Sequence, residues 1–419
     1  MIADITGVDF LGGNMNILVI TQLYPEPDDT GDNKPTRTVE YFAKEWVAAG
    51  HSVYVMHCSS KFPLALYLIP EPIKNKFGGA SSNIIPSIES RKELKREALG
   101  IRIRRIPMLK LMPGMGYSDS TFSHVCKKIE NYLEAENFRP DLVVGHFANP
   151  STQITAILAE HYGAKSSIVF HHDCNERNIK RYRLDKWVKQ IGAIGARSLL
   201  EQKQIKQLLH LKKDPFLCYS GVPNDAVQAA AKTCDKMDFS SGTKYLYVGS
   251  LIKRKHLESV MDAFDAVMHE GDQLLVVGGG PNEETLKEHR EGLKHKDSVV
   301  FVGRVPREEV LNKMKEAQVF TLISDGETYG MVYAEAMLQG CIVIASKQGG
   351  FDGIISDGIN GFLCNPGDTE ELKTIYQKIQ GLTKEQRDAI GQSAIRTVEH
   401  MSEREVADKY LNDVLMAQG

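Results

Sequence analysis

Two glutamates, Glu327 and Glu335, flank seven residues in the stretch GETYGMVYAEAM, Gly326 to Met337. The VFTLIS before it reads as a buried strand and DGETYG as the turn that follows. A helix is expected from about Tyr329 to Gln339, with Gly340 as its stop. The first amides of a helix lack partners within it, and with the helix dipole they form a seat for phosphate. Gly330 lets a ligand come close to the backbone. A carboxylate accepts hydrogen bonds well from a vicinal diol. One glutamate can therefore hold a ribose and the other a sugar, with a diphosphate between them on the helix start. The plainer alternative makes Glu335 a helix-surface charge and Glu327 a first-turn charge.

Such a site needs strands that end beside it. NILVIT (Asn16 to Thr21) reads as a short buried strand. After a polar loop, Val39, Phe42, Ala43, Trp46 and Val47 recur at helical spacing up to Gly50, and HSVYVMH is the next strand. This β-loop-α-β grammar belongs to a parallel sheet. DLVVGHF and SSIVFHH read as later strands of it, with the helix TQITAILAEHYG between them. The grammar restarts near Lys244: KYLYVGS, QLLVVGGGP, SVVFVGRV, VFTLIS and CIVIAS are strands separated by helical stretches. The expected architecture is α/β, two Rossmann-like doubly wound parallel-sheet domains facing a central cleft. Ligands then sit beyond the carboxyl ends of the strands. The expected divisions are a leader over 1–14, a first domain over 15–220, a linker over 221–243, a second domain over 244–395, and a C-terminal helix over 396–419 packing back on the first domain. Residues 61–107 resist the scheme. They hold an apolar half with prolines, FPLALYLIP, and a basic half, RKELKREALGIRIRRIP. They read as a variable insertion with a solvated charged face or, alternatively, as a surface for a membrane or a lipid-linked substrate.

Five ordered motifs of the second half resemble the retaining glycosyltransferases of family 4, with the GT-B fold. They are VGSLIKRKHLESVMDAF, VVGGGP, VVFVGRVPREEV, the E-x7-E pair Glu327/Glu335, and EAMLQGCIVIASKQGGFDGIISDGINGFLCNPGD. In the first half the likeness rests on MNILVITQLYP, AAGHSV, DLVVGHFANP and SIVFHHD. The resemblance implies that Glu327 binds hydroxyls of the transferred sugar and Glu335 the ribose. Lys255 faces the diphosphate, the amides of Tyr329, Gly330, Met331 and Val332 cradle the distal phosphate, and Gly303, Arg304 and Val305 border the base. It makes His146 a histidine close to the reacting centre; a satisfied buried histidine at a strand end is the competing reading. His172 and Asp173 either line the acceptor side or serve structure alone. Two departures stand out. Ser250 follows Gly249 where the family has Arg, with Arg254 the nearby candidate cation. The N-terminal loop DDTGDNKPTRT offers only Gly31 where the family often has a Gly-Gly pair.

Composition sets bounds. The chain has 419 residues, 42% apolar and 25% charged, with net charge −3. That is a globular balance with no global pull toward nucleic acid. Seven scattered cysteines without a CxxC pair suggest reduced thiols in a cytoplasmic protein, peripheral at most at the inner face of the membrane through 61–110. The expected activity is transfer of a hexose-type sugar, from a UDP-sugar by preference, to a hydroxyl acceptor such as a capsule or exopolysaccharide intermediate, free or lipid-linked. No cofactor is expected, and no metal, since Lys255 and the helix start can replace one. The rivals are a nucleotide-sugar epimerase or hydrolase of the same fold and a non-catalytic sugar-binding protein. A dehydrogenase is disfavoured, because Glu283 stands where the third glycine of a dinucleotide loop belongs.

Overall fold

The computed structural model describes residues 13–27, 36–69, 88–230, 237–327 and 330–417. The chain divides into two compact units. The first comprises residues 1–197, 201–218 and 407–419, and the second 198–200 and 219–406. Residues 1–12 of the expected leader over 1–14 fall outside the described residues, as do Gly31 and Tyr329.

The first unit carries an eight-stranded sheet. From edge to edge its strands are Phe216–Leu217, Ala193–Ala196, Lys165–Val169, Leu142–His146, Asn16–Thr21, Ser52–His57, Ile101–Arg105 and Leu94–Ala98. All pairings are parallel except that of the last two. Ile17 to Ile20 are fully buried, as a parallel strand covered on both faces requires. The helix Thr38–Ala48 buries Val39, Phe42, Ala43 and Trp46, and the indole Nε1 of Trp46 donates to the Ala407 carbonyl at 3.1 Å. Strand order reverses between Asn16–Thr21 and Leu142–His146, where Thr21 pairs with His146.

The basic half of the expected insertion is a β-hairpin rather than a solvated face. Leu94–Ala98 pairs antiparallel with Ile101–Arg105, whose Ile101 and Ile103 point into the core. Its cations are engaged within the unit. Lys95 and Arg104 reach Glu136 at 2.9 and 3.2 Å, Arg96 reaches Glu26 at 3.4 Å, and Lys92 reaches Glu89 at 2.8 Å. Arg102 lies 4.6 Å over the Phe138 ring, while Arg91 and Arg105 donate to the carbonyls of Phe62 and Lys92. Residues 70–87 of that insertion lie outside the described residues.

The second unit carries six parallel strands in the order Val299–Gly303, Gln273–Val277, Lys244–Val248, Val319–Leu322, Ile342–Ser346 and Phe362–Cys364. Numbered along the chain this is 3-2-1-4-5-6, the dinucleotide-fold order, whose ligand crevice opens between strands 1 and 4. The expected linker over 221–243 contains the helix Asn224–Ala230 and belongs to this unit, so the division falls at Tyr219. Residues 407–419 belong to the first unit. The six cysteines of the described residues are buried and unbonded. No helix among the described residues is long and apolar enough to cross a membrane.

Candidate active site

Two adjacent strands of the second sheet, Lys244–Val248 and Val319–Leu322, end where the order reverses. Each delivers one member of a charged pair. After the first strand, a 3-10 turn over Lys253–Lys255 places Lys255 with only 7% of its surface exposed. After the second come Ser324 and Glu327. The Lys255 ammonium donates to Glu327 Oε2, and Ser324 Oγ donates to the same oxygen at 3.2 Å. Among the described residues Glu327 Oε1 has no partner, so it remains open to a ligand hydroxyl. Ser324 is fixed in turn, its carbonyl accepting from Ser346 Oγ at 2.8 Å.

The helix that follows runs Met331–Leu338, two residues shorter at its start than expected. Gly330 precedes it at φ 79°, and a Cβ there would meet the Tyr333 ring at 2.4 Å. Glycine is therefore required by the backbone and by Tyr333, whose hydroxyl donates to the Leu322 carbonyl at 2.7 Å and ties the helix to the strand. The amides of Met331 and Val332 are at the half-buried helix start, where anions are favoured.

Glu335 is on the same helix with 13% of its side chain exposed, and Arg307 donates to its Oε1. Burial pushes its carboxyl above the usual range, and the Arg307 guanidinium opposes that shift. Gly303 ends its strand at φ 80°, followed by exposed Arg304 and half-buried Val305. The glycines of VVGGGP answer to the chain's own backbone. A Cβ at Gly278 would lie 1.9 Å from the Gly249 carbonyl, and one at Gly280 would lie 2.5 Å from that of Leu251. Exposed Ser250 carries no charge into the turn. Arg254 donates to the Asp325 carbonyl at 3.1 Å, and His256 meets the Asp325 carboxylate at 2.7 Å, so both brace the Glu327 loop.

In the first unit, His146 ends its strand at the reversal point but has 0% exposure. Its Nδ1 lies 3.1 Å from His171 Nε2 and its Nε2 3.5 Å from the Tyr410 hydroxyl, with the Phe42 ring stacked alongside. Burial, reinforced by Arg197, pushes its pKa down to about 3, so it is neutral. His146 is thus a neutral, ring-packed histidine at the strand end of the first unit. Asp173 buckles two loops together, its carboxylate accepting from the amides of Ala148 and His171. The His172 amide donates to Glu201. Both residues shape the loop after Lys165–Val169, and Asp173 does so through its own carboxylate.

The structure thus brings Lys255 and Glu327 into contact within the second unit and buries His146 in the first. Arg307, Ser324, Tyr333 and His171 were missed by sequence reasoning. Only His171, adjacent to His172 on a strand end, left a signal that could have been followed. Among the described residues no group of three or more His, Cys, Asp or Glu side chains is placed to hold a metal.

These two units define the class, a GT-B protein. Similar solved structures include HepE of Anabaena in complex with UDP (15% identical, TM-score 0.66, covering 96% of this chain and 100% of that one). Sucrose-phosphate synthase of Thermosynechococcus elongatus is also similar (17% identical, TM-score 0.63, 96% and 98% covered). Residues 238–397 match the model of the family Glycosyl transferases group 1. Relatives of the chain include sulfoquinovosyl transferase SQD2 of Arabidopsis thaliana, 31% identical over 40% of this chain and 32% of that protein. N-acetyl-alpha-D-glucosaminyl L-malate synthase of Bacillus anthracis is 30% identical over 58% and 66%. Alpha-monoglucosyldiacylglycerol synthase of Streptococcus pneumoniae is 35% identical over 30% and 30%. The matched stretches thus span less than two thirds of each of these relatives.

Proposed function

We propose that the protein is a retaining glycosyltransferase that moves a hexose-type sugar from a nucleotide-sugar donor, UDP-linked by preference, to a hydroxyl of a cell-surface or capsule glycan intermediate. The observation that carries this reading is the Lys255–Glu327 contact at the strand-order reversal, one turn before a helix start free to take phosphate. In this reading the diphosphate lies against Lys255 and the amides of Met331 and Val332, the ribose on Glu335, and the sugar on Glu327. The acceptor oxygen bonds to the anomeric carbon from the face that the phosphate leaves. The carbon–oxygen bond to the phosphate breaks, and the acceptor proton passes to the departing phosphate oxygen. Positioning and the fixed positive charge of Lys255 supply the rate, without a metal and without a protein nucleophile. A membrane-linked acceptor, met by a cytoplasmic enzyme peripheral at the inner face, fits the relative named as an alpha-monoglucosyldiacylglycerol synthase.

The test is nucleoside-diphosphate release from a panel of nucleotide sugars, with and without lipid-linked sugars as acceptors, followed by proton NMR of the product. Acceptor-dependent release and an anomeric coupling unchanged from the donor are expected. Equal release without acceptor makes the protein a hydrolase, and an inverted anomer rejects retention.

A further inference from the structure

Two side-chain amides of the first unit are buried without partners. Asn149 is 6% exposed and Gln153 7%, and among the described residues neither amide has a hydrogen-bond partner. Buried polar groups are normally satisfied, so a pair left open is held for something the chain itself does not supply. Both line one recess, which they share with Tyr117, Arg181, Tyr182 and Arg183. The recess offers about 30 Å³ to the centres of water molecules. At roughly 10–15 Å³ for each centre, that is room for two or three oxygens. It takes the polar end of a ligand and leaves a ring at its mouth. It lies beyond the carboxyl end of Leu142–His146, a strand at the order reversal, where doubly wound sheets bind their ligands.

The surroundings favour an anion. Gln153 is in the first turn of the helix Ser151–Tyr162, whose start carries partial positive charge. Arg181 donates once, to the Gly114 carbonyl, and its other guanidinium donors have no partner among the described residues. Arg183 is already paired with Asp119. Lys110 packs 4.8 Å from the centroid of the Tyr117 ring but is 1% exposed and does not line the recess. The walls are fixed in place. The Tyr117 hydroxyl bonds Ser60 at 2.8 Å, Asp173 accepts from the Ala148 amide, and Thr152 Oγ1 donates to the Ala148 carbonyl at 2.7 Å. A planar carboxylate offers two acceptor oxygens to a guanidinium. Each amide also presents a carbonyl oxygen, which only a donor satisfies, so a hydroxyl must accompany the carboxylate.

We propose that Asn149, Gln153 and Arg181 bind a hydroxy-carboxylate unit, its carboxylate on Arg181 and its hydroxyl on the amides, as an acidic sugar carries it. On the transferase reading above, and resting on it, this sugar is part of the acceptor. Its binding needs neither donor nor turnover.

Saturation-transfer NMR titrations of the full chain decide it, with methyl β-D-glucuronide, methyl β-D-glucoside, lactate and glucose 6-phosphate as probes. The glucuronide should bind about tenfold tighter than each of the others, or more. Arg181→Met should abolish its margin over the glucoside. Gln153→Met and Asn149→Leu should each weaken the glucuronide about tenfold. Without ligand, Gln153→Met should melt no lower than wild type, because it removes a buried unpaired amide. The proposal is overturned if the glucuronide does not bind, or if Arg181→Met or Gln153→Met binds it as wild type does. A lower melting temperature in Gln153→Met means that the amide serves the fold, and overturns it too. Equal affinity for lactate overturns the sugar, and equal affinity for the glucoside or for glucose 6-phosphate overturns the carboxylate. A protein that transfers sugar to neutral acceptors and ignores the glucuronide loses this recess and keeps the transferase reading. One that shows the full binding pattern and transfers to no acceptor keeps the recess and loses that reading.

Discussion

Glu327 and Glu335 have different neighbours, and the neighbours set different tasks. Glu327 shares one oxygen with Lys255 and Ser324, and among the described residues its other oxygen has no partner. If it holds the sugar, a free nucleoside diphosphate never touches it. Glu327→Gln should leave nucleoside-diphosphate affinity nearly intact and cut turnover by orders of magnitude. Glu335, if it holds the ribose, contacts a part common to donor and free nucleotide. Losing a hydrogen bond to a charged group costs roughly 1.5–3 kcal/mol, so Glu335→Gln should weaken nucleotide binding about ten- to a hundredfold. Calorimetry with the nucleoside diphosphate and initial rates on both variants separate the roles; equal loss of affinity in both rejects the division. Arg307 adds a pH signature. Burial raises the Glu335 pKa and Arg307 holds it down, so the acceptor-only carboxylate persists to lower pH while Arg307 is present. Arg307→Met should therefore move the acid limb of nucleotide affinity to higher pH. A 2′,3′-dideoxy nucleotide, which offers Glu335 no diol, should show no such displacement. An identical shift with both nucleotides means that Arg307 acts on something other than Glu335.

Lys110, on the loop after the short strand Met108–Leu109, carries a cost that stability measurements can read. Its folded pKa of about 8 lies below the ordinary lysine value of 10.5. Between those two pH values the unfolded chain binds more protons than the folded one, so stability should rise with pH across that window. Below pH 8 the whole cost is present, at most ~3 kcal/mol for a shift of this size. Lys110→Met should thus be more stable than wild type at pH 7 and should lose the rise between pH 8 and 10.5; thermal melts at pH 7 and 10 check both. The hairpin nearby shows what the sequence hid. IRIRR alternates as a strand should, but its arginines resemble a solvated face until Glu93 and Glu136 are seen to pair with Arg104. The strands around the second site were legible, because continuous apolar runs such as CIVIAS leave one reading. So were Lys255 and Glu327, each one turn past such a run. Arg307 was not, since an arginine opening a polar helix looks the same whether or not a buried carboxylate lies within reach. The surroundings of His146 were hidden for the same reason, since the rings of Phe42 and Tyr410 that pack on it come from distant parts of the sequence.

At the scale of the molecule, 51 basic residues nearly balance 54 acidic ones. A net charge of −3 gives no long-range attraction for a doubly phosphorylated donor, so in the proposed transfer the leaving diphosphate is neutralised locally. Two sources stand at the strand-order reversal of the second sheet: the nearly buried Lys255 and the helix start at Met331. A fixed cation in a place poor in water is worth far more than one in solvent. Removing one preorganised donor of this kind costs about 10²–10³ in turnover. Transfer should therefore survive excess EDTA unchanged. Lys255→Met should lose at least that factor, and added Mg²⁺ or Mn²⁺ should not restore it, because a divalent ion needs carboxylate ligands to be held there. The single nearby carboxylate that Lys255 touches, Glu327, is already committed to the sugar in this reading. Loss of wild-type activity on chelation, recovered with Mn²⁺, would mean that the diphosphate arrives with its own metal and that Lys255 has another task. Recovery of the Lys255→Met variant by Mg²⁺ alone would mean that the lysine and a metal ion are interchangeable at this site.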